Sequence, residues 1–179
     1  MLAAMATKGD ITIKNCISKH LESISAKIIE MGGVIEDNED SIRVVCNDRP
    51  KKVTIKTLPY PGFPTDLQPQ VGVVLSLANG TSIINESIWE SRFQYTAELN
   101  KMGANITTSG KEATIVGKTL LKGTSVVATD LRAGASLVIA GLVAEGTTII
   151  TEVEHILRGY EGIVDKLTQV GASIKLVDE

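Results

Sequence analysis

The sequence repeats one structural unit three times, and this repetition constrains the fold more than any other feature. In each copy a glycine opens a short β-branched segment, and a second glycine closes the polar segment that follows. The opening glycines are Gly9, Gly80 and Gly146, and the closing glycines are Gly33, Gly103 and Gly171. The two glycines of a copy lie 24, 23 and 25 residues apart, so order and spacing recur together. We therefore predict three copies of one supersecondary unit.

These spacings divide the chain into repeats at 1–58, 59–124 and 125–179, which together form a single domain. Each repeat reads as an apolar helix, a strand, an amphipathic helix and a hairpin. Ile29 and Val170 belong to the apolar faces of two amphipathic helices, and the closing glycines supply the left-handed residue that ends each one. The hairpins are expected to begin at Val34, Asn105 and Ser173.

Two of the apolar segments, residues 71–78 and 136–144, have no polar face. A helix that is apolar nearly all round is buried on every side. Such helices belong at the centre of the molecule, with the sheets and the amphipathic helices around them. The predicted fold is therefore an α/β (α+β) inside-out barrel of three internal repeats with buried central helices.

A Thr-Asp-Leu turn precedes the apolar helix of the second and third repeats, at residues 65–67 and 129–131. The same turn in the first repeat would fall before Met1. We therefore expect the first repeat to be truncated and the chain to be a piece of a longer protein.

The composition excludes several classes of protein. With 43% hydrophobic and 22% charged residues the chain is globular rather than disordered, collagen-like or coiled-coil. A net charge of −3 disfavours binding to nucleic acid or to an anionic membrane. No apolar run reaches the length of a membrane span. Two cysteines, Cys16 and Cys46, form no disulfide framework or metal motif, which favours packing roles in a reduced cytosolic protein.

Two aspartates stand out because each follows a threonine at the start of a buried helix. Asp66 and Asp130 are suited to accept backbone N–H bonds as helix caps. Asp66 also follows a stiff loop that contains three of the five prolines, and such a loop suits a carboxylate that orients a hydroxyl or takes its proton. The residues alone leave both roles open.

Three arginines are candidates for binding an anion. Arg92 and Arg158 each lie 12 residues after the opening glycine of their repeat, where we expect the amphipathic helix to begin. A cation opposes the helix dipole there, which indicates an anion site, although a solvated surface arginine is the alternative. Arg132 is placed to pair with Asp130 or to reach a substrate.

No sequence motif for a metal or nucleotide cofactor is present. His20 and His155 are isolated from acidic partners at triad or metal-site spacing, and we assign both structural roles.

Five segments in order carry a resemblance to a known family: PGFPTDLQ at 61–68, ESRF at 90–93, TDLRAGASL at 129–137, AEGTT at 144–148 and HILRGYE at 155–161. Together they resemble the UDP-N-acetylglucosamine enolpyruvyl transferases. The resemblance covers essentially the whole chain but only the C-terminal half of those enzymes, and it implies their inside-out barrel fold.

The resemblance also implies an activity. Members transfer the enolpyruvyl group of phosphoenolpyruvate to the 3-hydroxyl of UDP-N-acetylglucosamine by addition and elimination, without a metal or organic cofactor. This is the first committed step of peptidoglycan synthesis in the bacterial cytoplasm. Neither nucleic acid nor a membrane is an implied partner.

The matched positions imply roles for residues of this chain. Asp66 corresponds to the proposed general base that contacts the sugar hydroxyl. The implied substrate-binding residues are Asp66, Ile88 through its backbone carbonyl, Trp89, Asp130, Arg132, Arg158 and Arg92.

The sequence departs from the family at Leu157 and Trp89, where aspartate and phenylalanine are common. The family's loop cysteine and its N-terminal lysine and asparagine belong to the other domain, which is absent here, so we expect the chain to be inactive alone. A shikimate-pathway enolpyruvyl transferase and a non-catalytic sugar-nucleotide-binding module are the alternatives.

Overall fold

A computed structural model describes residues 1–177 of the chain. The helices are α1 (Leu2–Thr7), α2 (Glu22–Glu30), α3 (Gln68–Leu77), α4 (Tyr95–Lys101), α5 (Leu131–Val143), α6 (Glu154–Leu157) and α7 (Ile163–Gln169). The strands are β1 (Asp10–Lys14), β2 (Val34–Asp37), β3 (Ser41–Val45), β4 (Thr54–Lys56), β5 (Thr81–Asn85), β6 (Asn105–Ser109), β7 (Glu112–Val116), β8 (Ser125–Val127) and β9 (Ile149–Thr151).

The apolar helices α1, α3 and α5 pack against one another at the centre, as their lack of a polar face predicts. In α3 every residue from Gln68 to Ser76 is buried. Close packing depends on small residues here, because a Cβ added to Gly72 would lie 2.9 Å from the hydroxyl oxygen of Tyr95. The prediction of buried central helices is confirmed for α3 and for the first part of α5, whereas residues 141–144 at the end of the predicted segment are only half-buried.

Three separate sheets surround these helices. β3 lies between β1 and β2 in an antiparallel sheet, and β7 lies in the same way between β5 and β6. β4 extends the second sheet by pairing in parallel with β5, and β8 pairs in parallel with β9 in the third. β4 precedes the boundary that we predicted at residues 58 and 59, yet it belongs to the sheet of the second repeat.

Gly103 and Gly171 have the predicted left-handed conformation at the ends of α4 and α7. The prediction for Gly33 was wrong, because the left-handed residue after α2 is Gly32, with φ of 94°. Gly33 is required for a different reason. A Cβ at this position would lie 2.6 Å from the sulfur of Met5 and 2.7 Å from a methyl carbon of Ile28.

The third repeat departs further from prediction. No strand forms at Ser173-Ile174 in the described part of the chain, since no neighbouring strand pairs with this segment there. Residues 178 and 179 of the predicted repeat lie outside the described residues. Ile29 and Val170, predicted on apolar helix faces, are 58% and 62% exposed.

These elements form the predicted inside-out α/β barrel, with one antiparallel, one mixed and one parallel sheet and amphipathic helices around apolar helices. Among residues 1–177, no helix combines the length and the apolar character needed to cross a membrane.

Candidate functional site

A cleft of about 300 Å³ lies where the first turns of α3 and α5 approach the segment before α4. Its lining is polar and carries both signs of charge. The residues that line it are Pro69, Trp89, Glu90, Ser91, Arg92, Gln94, Tyr95, Asp130, Arg132 and Ala133. Because α3 belongs to the second repeat and α5 to the third, the repeats build the cleft together.

Asp66 lies beside this cleft on the short 3-10 turn Thr65–Leu67 that leads into α3. The preceding proline-rich loop is held by Phe63, whose side chain is buried and whose carbonyl accepts a hydrogen bond from the Leu58 N–H at 2.9 Å. Oδ1 of Asp66 contacts Nε of Arg132, and Nη2 of Arg92 lies 3.6 Å from the same oxygen. One carboxylate therefore faces two guanidinium groups.

The two equivalent aspartates have different roles, although the sequence makes both of them candidates for a helix cap. Asp130 caps α5, because its Oδ1 accepts hydrogen bonds from the backbone N–H groups of Arg132 at 2.7 Å and Ala133 at 3.1 Å. Asp66 makes no such cap. Its side chain is 62% exposed and turned toward the arginines. The arginine that we expected to pair with Asp130 or a substrate, Arg132, pairs with Asp66.

Arg92 is held in the cleft wall by packing. Its side chain is only 17% exposed, and its guanidinium carbon lies 5.8 Å from the ring centroid of Trp89. Nε of Arg92 is buried, and within residues 1–177 it has no hydrogen-bond partner. A buried guanidinium N–H without a partner is costly, so this group is well suited to bind an anion.

The structure corrects the helix-dipole argument for the arginines. Arg92 lies in a turn before α4, which begins only at Tyr95. Arg158 directly follows α6, at the C-terminal end where the dipole favours a cation. The dipole therefore gives neither arginine a reason to bind an anion.

Arg158 is exposed and does not line the cleft. It nevertheless lies at the same end of α5 as Asp130, because the neighbouring Gly159 packs on Leu131. A Cβ added to Gly159 would lie 2.5 Å from a methyl carbon of Leu131.

Ile88 and Trp89 lie on the loop after β5. Trp89 is 57% exposed and lines the cleft, whereas Ile88 is half-buried and does not. The carbonyl of Ile88 accepts no hydrogen bond from the described residues, so it is free to accept one from a ligand.

The most extensively hydrogen-bonded group beside the cleft is one that our sequence analysis missed. Glu86 is only 2% exposed, and it accepts five hydrogen bonds. Burial alone would raise the pKa of its carboxyl, but the hydrogen bonds outweigh burial and the pKa is lowered. The repeat register contained a signal, because Glu86 and Glu152 both lie six residues after the opening glycine of their repeats.

The cysteines take no part in the cleft. Cys46 is buried beside β3, and burial raises the pKa of its thiol, as befits a packing residue. The expectation that His155 is isolated from acidic partners was wrong, because ligand atoms of Glu152, Glu154 and His155 lie within 4.8 Å of one another. These three are the group in residues 1–177 with the spacing to hold a metal ion, and both carboxylates are exposed.

Comparison with known proteins places this geometry in context. Residues 1–167 match the family model described as EPSP synthase (3-phosphoshikimate 1-carboxyvinyltransferase). The UDP-N-acetylglucosamine 1-carboxyvinyltransferase of Clostridium botulinum is 55% identical over 174 residues, which are 97% of this chain and 42% of that protein. The same-named protein of Finegoldia magna is 49% identical over 180 residues, which cover 99% of this chain and 43% of that protein. The chain thus spans less than half the length of these curated relatives.

Solved structures agree on the fold. The enolpyruvyl transferase NikO from Streptomyces tendae superposes with a TM-score of 0.85 at 24% identity, over 97% of this chain and 42% of that one. EPSP synthase from Acinetobacter baumannii gives a TM-score of 0.78 at 17% identity, over 99% of this chain and 46% of that one. The fold is that of the enolpyruvyl transferases, and the resemblance found in the sequence motifs is confirmed. With the family match extending over residues 1–167, the chain belongs to the EPSP synthase (3-phosphoshikimate 1-carboxyvinyltransferase) family.

Proposed function

We propose that the complete protein transfers the enolpyruvyl group of phosphoenolpyruvate to the 3-hydroxyl of UDP-N-acetylglucosamine and releases phosphate. The relatives at about half identity carry the name of this activity. The reaction would be the first committed step of peptidoglycan synthesis, in the cytoplasm of a bacterium, and would serve cell-wall growth, cell shape and division. This chain supplies the C-terminal domain, with repeats at 1–58, 59–124 and 125–179, and an N-terminal domain supplies the rest.

The observation that carries the proposal is the grouping of Asp66, Arg92 and Arg132 around one cleft. Both substrates are anions that carry phosphate, and phosphoenolpyruvate also carries a carboxylate. Guanidinium groups bind both kinds of anion through paired N–H donors. The hydrogen bond from Arg132 goes to Oδ1 of Asp66, and Oδ2 accepts no hydrogen bond within residues 1–177. Oδ2 is therefore available to a substrate hydroxyl.

The proposed chemistry is the addition and elimination that the family resemblance implies. In the addition step the 3-oxygen of the sugar bonds to C2 of phosphoenolpyruvate, its proton passes to Asp66, and C3 receives a proton from a group of the N-terminal domain. In the elimination step C3 loses a proton, the C2–O bond to phosphate breaks, and the C2–C3 double bond forms again. Asp66 acts as general base because a carboxylate within hydrogen-bond reach of a hydroxyl is suited to take its proton.

The other residues bind or position the substrates. The free carbonyl of Ile88 and the exposed ring of Trp89 face the sugar nucleotide, and Arg92 and Arg132 bind anionic groups. Asp130 fixes the start of α5 and thereby the backbone of Arg132. Arg158 completes the phosphoenolpyruvate site from the same end of α5. The proposal includes no metal or organic cofactor, no nucleic acid and no membrane.

The test is a chimera of this chain with the part of the Clostridium botulinum relative that the chain does not cover. Phosphate release is measured with phosphoenolpyruvate and UDP-N-acetylglucosamine. We expect turnover by the chimera and none by this chain alone. Turnover by this chain alone would contradict the half-enzyme proposal, and an inactive but folded chimera would contradict the proposed activity.

A second candidate is enolpyruvyl transfer to shikimate 3-phosphate, because the matching family model bears that name. Replacing UDP-N-acetylglucosamine by shikimate 3-phosphate in the same assay distinguishes the two. A non-catalytic sugar-nucleotide-binding module is the third candidate. It predicts that this chain alone binds UDP-N-acetylglucosamine tightly and that the chimera releases no phosphate.

A further inference from the structure

Glu86 connects three segments near the cleft: the residue after β4, the turn that leads into α3, and the loop after β5. Its Oε1 accepts hydrogen bonds from the Thr57 hydroxyl at 2.8 Å and from the backbone N–H groups of Ile88 at 2.8 Å and Trp89 at 3.1 Å. Its Oε2 accepts hydrogen bonds from the Thr65 hydroxyl at 2.8 Å and from the Gln68 side-chain amide at 3.1 Å.

These bonds fix the segments that carry the candidate site residues. Thr65 immediately precedes Asp66 on the 3-10 turn, and Gln68 begins α3. Ile88 and Trp89 form the loop on the other side of the carboxylate. Thr57 follows β4 and also bonds to the Ser87 backbone N–H at 2.9 Å, which reinforces the same junction.

No cation pairs with Glu86 within residues 1–177, so its buried charge is compensated by hydrogen-bond donors alone. Hydrogen bonds to a charged acceptor are stronger and more directional than those between neutral groups. A buried carboxylate that accepts five hydrogen bonds therefore fixes the positions of the groups that donate them and also stabilises the fold. If it were lost, the turn would lose its hydrogen bonds from Thr65 and Gln68 to the loop side of the site, and the loop would keep its bonds to Thr57 through Ser87.

We infer that Glu86 is a positioning residue that fixes the Asp66 turn relative to the Ile88–Trp89 loop. Its catalytic consequence rests on the proposed function, but the positioning itself does not. Glu86 does not line the cleft, so it acts through the residues that it holds.

Glu86→Gln is the informative variant, because the environment accepts a neutral amide. Oε1 of Gln68 is buried, and in the described chain it has no hydrogen-bond partner. If the side-chain amide of Gln68 flips, its oxygen can accept a hydrogen bond from the amide introduced at position 86. The Thr65 hydroxyl can accept a second hydrogen bond from that amide. We therefore expect the variant to fold. The three hydrogen bonds that Oε1 of Glu86 accepts would then go to a neutral amide oxygen instead of a charged carboxylate.

A matched control is Glu98→Gln. Glu98 is also buried, at 7% exposure, and its Oε2 accepts a hydrogen bond from the Val127 backbone N–H at 3.0 Å. It ties α4 to β8 and does not line the cleft. Each variant thus removes one negative charge from a buried carboxylate, but the two carboxylates hold different segments of the chain in place.

The first measurement is amide hydrogen exchange by NMR on this chain. In Glu86→Gln we expect exchange at the Ile88 and Trp89 amides to rise by about tenfold or more, since each loses a charge-assisted bond. The Val127 amide should keep its rate. Glu98→Gln should show the reverse pattern. Unchanged rates at Ile88 and Trp89 in Glu86→Gln, or a uniform rise across the chain, would overturn the positioning role.

The second measurement is the kinetics of the chimera. Glu86→Gln should lower kcat by about tenfold or more with a smaller change in KM, because misplacing a catalytic group slows the chemical step. Glu98→Gln should keep the kcat of the parent. An unchanged kcat in Glu86→Gln would overturn the catalytic consequence. If the parent chimera is inactive, the proposed function fails, and the exchange experiment still decides the positioning role.

Thr65→Val provides a test if Glu86→Gln does not fold. This nearly isosteric change removes the one hydroxyl that links Glu86 to the Asp66 turn. It should raise exchange at the Leu67 amide, which closes that turn on the Pro64 carbonyl, and leave the Ile88 and Trp89 amides unchanged. Equal protection of Leu67 in Thr65→Val and the parent would contradict the role of Glu86 in holding the turn.

Discussion

Replacing Leu75 by alanine tests whether the apolar helices form the structural centre of the molecule. The Leu75 side chain is fully buried in α3, a helix that packs against α1, α5 and the strands β5 and β7 of the second sheet. Because packed elements surround the site, it cannot collapse to refill the lost volume. Leucine-to-alanine changes at such sites cost about 3 kcal/mol, the lost transfer free energy plus a cavity term.

This free energy corresponds to a measurable shift in melting temperature. For a chain of this size each kcal/mol lowers Tm by about 2–4 °C, so we expect Leu75→Ala to lower it by about 9 °C. Circular dichroism melts of this chain measure the shift. The control is Leu120→Ala, the same substitution at a residue that is 57% exposed, which should change stability by less than about 0.5 kcal/mol. Equal shifts in the two variants would refute the placement of α3 at the centre.

Three further predictions concern the carboxylates. Asp66→Asn should abolish phosphate release by the chimera yet lower Tm by less than about 3 °C, because exposed ion pairs contribute under about 1 kcal/mol; a large loss of Tm would instead indicate a structural role. Asp130→Ala should lower the free energy of unfolding in urea by about 1 kcal/mol, because it removes the α5 cap, and an unchanged midpoint would contradict that cap. The pKa of Glu86 lies below its ordinary value of 4.5, so its ionised form stabilises the fold above about pH 4.5, and this contribution is lost as the pH falls through the folded-state pKa. The parent should therefore lose more unfolding free energy than Glu86→Gln between about pH 6 and pH 3, and parallel pH profiles would contradict the lowered pKa.

Periodicity predicted the parts of the fold in which local pattern and burial agree. The apolar helices and the hairpins at 34–45 and 105–116 form because their patterns leave one way to bury apolar surface. The prediction at Gly33 was wrong because two adjacent glycines both suit a helix end. Tertiary packing against Met5 and Ile28 decides which one becomes left-handed.

The candidate site was predicted in its residue types but not in its contacts. Repeat register singled out Asp66 and Asp130 as equivalents, yet only the assembled structure separates Asp130, which caps a helix, from Asp66, which pairs with two arginines. Arg132 reaches Asp66 across the boundary between two repeats, 66 positions apart in sequence, and no local pattern encodes such a contact. Glu86 was missed because three of its five donors are side chains at separate positions along the chain, Thr57, Thr65 and Gln68, and the other two are backbone N–H groups of the loop after β5.

The central question is whether this chain, joined to the missing part of a relative, completes an enolpyruvyl transferase. Phosphate release by the chimera is measured with phosphoenolpyruvate and either UDP-N-acetylglucosamine or shikimate 3-phosphate as acceptor. We predict turnover with UDP-N-acetylglucosamine that is lost in Asp66→Asn. Turnover with shikimate 3-phosphate alone, or full activity in Asp66→Asn, would contradict the account.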